Sequence, residues 1–118
     1  MPLTKDFRET VKARAETDKE FREALLREAL GAIVNGELEV AKLLLRDYVN
    51  ATCGFTALGE AVGKSPKSLM RMLSEDGNPN AANLFGVTRY LLHQSGTSFA
   101  VVQSGSRKPT KAKRIAKR

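Results

Sequence analysis

"GEAVGKSPKSLMRML", residues 59–73, is the stretch whose reading decides the fold. An apolar helical pattern stops at Gly63, and Ser65-Pro66 starts another. Glycine suits the left-handed residue that ends a helix. Serine is a good N-cap, and proline at the first helical position loses no hydrogen bond. The spacing therefore predicts two short helices, 55–62 and 65–73, with a turn between them. That pattern fits a plain helical corner with solvated charges, and it also fits a helix-turn-helix. The second needs a small residue where the helices cross, a turn residue that tolerates positive φ, and apolar residues inside both helices. Gly59 supplies the first and Gly63 the second, while Leu58, Val62, Leu69 and Met72 fall inward. One position departs from the pattern: Lys64 stands where such motifs usually carry an apolar residue.

On this register the outward residues of the second helix are Ser65, Lys67, Ser68 and Arg71, with Met70 at the edge. The N-terminal part of a recognition helix is the part that enters the major groove. Lys67 and Arg71 lie one turn apart on one face, and either can pair with a guanine edge or a phosphate. The serine hydroxyls can bond phosphate oxygens. Met70 has two readings, contact with a thymine methyl or plain packing, and packing is the commoner use of methionine.

Upstream, three further helices are expected within residues 5–52. Thr4 can cap the first, over 5–16, whose apolar stripe of Phe7, Val11 and Ala15 is thin. Such a helix needs a surface to lie on. Asp18 opens the second, with Phe21, Leu25, Leu26, Ala29, Leu30, Ala32 and Ile33 inward and Asn35-Gly36 at its end. The third starts at Glu37 and turns Leu38, Ala41, Leu45, Tyr48 and Val49 inward. Downstream, "SEDGNPN" is a turn-rich loop, and Asn80 can cap a packing helix over 81–95 with Leu84, Val87, Thr88, Leu91 and Leu92 inside. "SFAVV", 98–102, has strand composition. One strand alone cannot satisfy its backbone, so pairing with a second copy is expected. The fold class expected is all-α, about five helices, with a short C-terminal strand in a domain spanning 1–102.

The net charge is +7, but its placement matters more than its size. Residues 1–54 hold nine Lys/Arg against ten Asp/Glu, and residues 55–102 hold four against three. The tail 103–118 carries Arg107, Lys108, Lys111, Lys113, Arg114, Lys117 and Arg118 with no acid among them. The excess therefore belongs to the tail, whose low apolar content makes disorder the expectation. Three uses stand for it: a non-specific grip on DNA phosphates, binding of RNA or an acidic partner, or a solvated segment with no specific role.

Other chemistry is poorly supplied. His93 is the only histidine and Cys53 the only cysteine, so familiar metal sites and nucleophilic sites cannot be assembled from them. "GKS" at 63–65 resembles a phosphate loop, but the glycine required at position 58 is Leu58. No enzyme activity, metal or cofactor is expected. No apolar run approaches the roughly 18 residues of a membrane span. The charged start "MPLTKDFRET" argues against a signal peptide, and cytoplasmic localisation is the expectation.

The wording of several segments carries a resemblance. "LTKDFRETVKAR", "FREALLREAL" and "GKSPKSLMRMLSEDGNPNAANLF" resemble the addiction-module antidote proteins, the HigA-like antitoxins. The likeness runs from residue 3 to about 102, and "SLMRML" followed by "GNPNAANL" is its most specific part. It implies an antitoxin that binds a toxin of the RelE/ParE type. It also implies a homodimer that binds operator DNA through the helix-turn-helix and represses its own operon. Lys67, Ser68 and Arg71 are the candidate readers on that basis. A stand-alone transcriptional regulator and an interaction-only toxin inhibitor are the alternatives. Helix one, around Phe7 and Val11, is either a toxin-docking surface or simply packed on the domain.

Overall fold

The computed structural model describes the backbone of residues 5–103 and the side chains from Glu9 onward. Thr4, the side chain of Phe7 and the basic tail residues from Arg107 to Arg118 lie outside the described part. Among the described residues the regular structure is six α-helices: α1 Lys5–Thr17, α2 Lys19–Val34, α3 Leu38–Ala51, α4 Gly54–Val62, α5 Pro66–Met72 and α6 Ala81–Ser95. The all-helical class holds, with one helix more than the rounded number expected.

Asp18 caps α2, its Oδ1 accepting the Phe21 N–H at 3.1 Å. The cap satisfies one of the orphan amides of the first turn. Leu25, Leu26, Ala29, Leu30 and Ala32 are buried along one side of α2. A tight turn at Asn35-Gly36 then reverses the chain, closed by the Glu37 N–H donating to the Ala32 carbonyl at 2.8 Å. α3 packs back along α2 and forms the αα-hairpin that the apolar stripes imply. α1 lies against both helices. Its thin stripe is supplemented in three ways. Ala15 is fully buried, Arg22 donates to the Ala15 carbonyl at 2.9 Å, and the Arg14 guanidinium stacks over the Phe21 ring at 4.6 Å.

α4 joins the two halves of the molecule, contacting α3, α5 and α6. Buried Leu26, Leu45, Val49, Leu58, Leu69, Leu73 and Leu91 form one continuous core with no tryptophan in it. Each such leucine contributes roughly 1.5–3 kcal/mol by leaving water. α6 is capped by Asn80, whose Oδ1 accepts the Asn83 N–H at 2.8 Å.

The strand expected over 98–102 is not formed. These residues have no secondary structure, and no strand among the described residues offers them a ladder partner. Phe99, Val101 and Val102 are left exposed. No helix among the described residues is long and apolar enough to cross a membrane.

Candidate nucleic-acid interface

The turn between α4 and α5 is built from backbone. Gly63 adopts φ 75° and ψ 33°, a conformation costly for any residue with a Cβ. Its N–H and that of Lys64 both donate to the Gly59 carbonyl, at 2.8 and 3.0 Å. A Cβ on Gly59 would lie 2.5 Å from the Lys64 carbonyl oxygen, so only glycine allows the chain to pass this close. The Lys64 backbone closes the turn while its side chain stays exposed.

α5 has seven residues, too few to hold together alone. Three features start and anchor it. Ser65 accepts the Ser68 N–H at 3.1 Å, Pro66 fills the first helical position, and Leu69 is fully buried with Leu73 beside it. Leu58 and Gly59 are buried beneath it on α4, and Val62 and Met72 are half-buried at the edges. Of the six residues expected to pack the pair, Leu58, Gly59 and Leu69 are buried, Val62 and Met72 are half-buried, and Gly63 forms the exposed turn.

The opposite face of α5 presents Ser65, Lys67, Ser68, Met70 and Arg71, all exposed. Met70 is 46 % exposed, so it faces outward rather than filling the core. Among the described residues Lys64, Lys67 and Arg71 enter no ion pair, and their charges face solvent. Ser65 is partly committed, because its hydroxyl caps the helix and also donates to Ser68 Oγ at 3.0 Å. Beside this face lies an open depression of about 420 Å³. Lys64, Ser68 and Arg71 form one wall, and the loop 76–80 with Asn83 of α6 forms the other.

That loop is hydrogen-bonded by a buried residue that the apolar pattern left out, Lys42. Lys42 of α3 is 2 % exposed, and its Nζ donates to the carbonyls of Gly77 and Glu75 at 2.6 and 3.2 Å. The signal was available, because Leu38, Lys42, Leu45 and Val49 recur in steps of four, three and four along α3. A second buried charged residue, Asp47, also escaped the apolar pattern.

Among the described residues no three His, Cys, Asp or Glu stand together in a way that could hold a metal ion. His93 is exposed in the last turn of α6. Cys53 is half-buried at the α3–α4 junction, and burial pushes its thiol above the usual range. Comparison with protein-family models, curated proteins and solved structures gave no match.

Proposed function

We propose that the chain is a DNA-binding antitoxin that represses its own operon. The observation that carries the DNA half is the exposed face of α5. Lys67 and Arg71 stand one turn apart on a short helix whose position is set by two glycines and a buried leucine. An arginine and a lysine so placed suit guanine edges and phosphates, and Ser68 suits a phosphate oxygen. Rigid backing matters, because a reading helix must hold its side chains in register with the bases.

The antitoxin half rests on the resemblance of residues 3–102 to the HigA-like antidotes. A RelE/ParE-like toxin is the partner it implies, in the cytoplasm. Homodimerisation fits the exposed "SFAVV" segment: Phe99, Val101 and Val102 are exposed, and among the described residues the segment joins no strand. Antiparallel pairing with the same segment of a second copy would satisfy it.

Two experiments test the reading. Alanine at Lys67 and at Arg71 should each cost about 1–3 kcal/mol of affinity for the chain's own promoter if the residue reads a base. Unchanged affinity in both would remove α5 as the reader. Co-expression with the product of an adjacent toxin-sized reading frame should yield a complex. Failure to co-purify would leave a stand-alone regulator as the better description.

A further inference from the structure

α3 places a charged side chain where its stripe requires an apolar one. Lys42 is buried on the stripe that also carries half-buried Leu38 and buried Leu45 and Val49. A buried ammonium is costly unless its three donors are matched. Three acceptors meet this one: the Gly77 carbonyl at 2.6 Å, the Glu75 carbonyl at 3.2 Å and Glu39 Oε2 at 3.2 Å. Two of the three are backbone atoms more than thirty residues further along the chain. They belong to the loop 74–80 between α5 and α6. Among the described residues the other hydrogen bonds of that loop are local. Ser74 bonds the Arg71 carbonyl, Gly77 donates to Ser74, and Asn80 caps α6. Gly77 also lies so close to α5 that a Cβ there would overlap the carbonyls of Arg71 and Met72. The loop therefore rests directly on the C-terminal end of α5 and forms the far wall of the depression beside Ser68 and Arg71.

We propose that Lys42 is a positioning residue for the DNA-binding face: its ammonium clamps loop 74–80 to α3, and the loop fixes the end of α5, with Arg71, against the start of α6. The functional half of this rests on the DNA-binding reading above. The chemistry favours a clamp over a simple filler. A methionine of similar length would occupy the same space, yet it would leave both loop carbonyls without a donor. Glu39 contributes less, because its side chain is 71 % exposed and only completes the ammonium's set of partners.

The test compares wild type, Lys42→Met and Glu39→Gln in the full chain by amide hydrogen exchange and by binding to a duplex selected from a random DNA pool by the wild type. In K42M the amides of 73–84 should exchange about tenfold faster or more, while those in the middle of α2 and α3 keep their protection. Duplex affinity should fall by about tenfold. E39Q should stay within about twofold of wild type in both measurements. Unchanged protection of 73–84 in K42M overturns the clamp, as does a uniform loss across α2, α3 and the loop. A loosened loop with unchanged affinity overturns the positioning role. If K42M does not fold, Gly77→Ala displaces the same loop from its other side and should give the same local pattern; a normal loop in that variant overturns the proposal. A wild-type chain that selects no duplex refutes the DNA half outright, while the exchange result still decides the clamp.

Discussion

Single residues at junctions carry much of the structure. Cys53 stands where α3 hands over to α4, and Tyr48 is buried one turn before it. Burial raises both side chains above their ordinary values of 9.0 and 10.0, with the Arg22 charge partly opposing the rise at Tyr48. The sign of the consequence follows. Each group holds its proton more tightly in the folded chain than in the unfolded one, so its contribution is fully present below the unfolded value. It is lost as pH rises through the folded value. Urea midpoints should therefore hold steady through neutral pH and decline above about pH 9. Cys53→Ala should remove part of that decline. A midpoint that rises with pH in this window would contradict the assigned burial.

At the scale of elements, the α4–α5 crossing is a close backbone approach. It was legible because the constraint is local: a turn glycine, a serine cap, a proline at the first helical position and a small residue four positions upstream are all visible in fifteen letters. Gly59→Ala should force the Lys64 carbonyl away and open the crossing. The cost expected is about 1–3 kcal/mol, as for overpacked cores. Thermal unfolding checks it, with a fall of roughly 4–8 °C per kcal/mol for a domain of this size. An unchanged midpoint would show that the backbone can yield here. The clamp at Lys42 was harder to see. Its position in the stripe of α3 was readable, but its acceptors are carbonyls more than thirty residues away, and a carbonyl has no letter in a sequence. The "SFAVV" strand shows the opposite difficulty. Its composition suits a strand, yet a strand also needs a second strand, and the described residues contain none.

At the scale of the molecule, charge is separated from shape. The helical domain is nearly neutral, and the basic excess lies in residues 103–118. Domain class and core were recoverable because apolar periodicity reports burial wherever helices are amphipathic. The tail offers no such pattern and only its charge can be argued from. On duplex DNA each phosphate neutralised adds about 0.9 to the slope of log affinity against log salt. Truncation after Gln103 removes seven cations, so the slope should become shallower by several units if the tail grips DNA. The same slope before and after truncation would assign the tail elsewhere.

The central claim is that the exposed face of α5 reads base edges. Its most direct test is selection from a random duplex pool by the tail-truncated chain, repeated with Arg71→Ala. The wild-type face should enrich a defined half-site, and R71A should relax the preference at one position within it, at a cost of about 1–3 kcal/mol for the favoured base. Enrichment of the same half-site by R71A with undiminished strength, or no enrichment by the wild-type face, would contradict it.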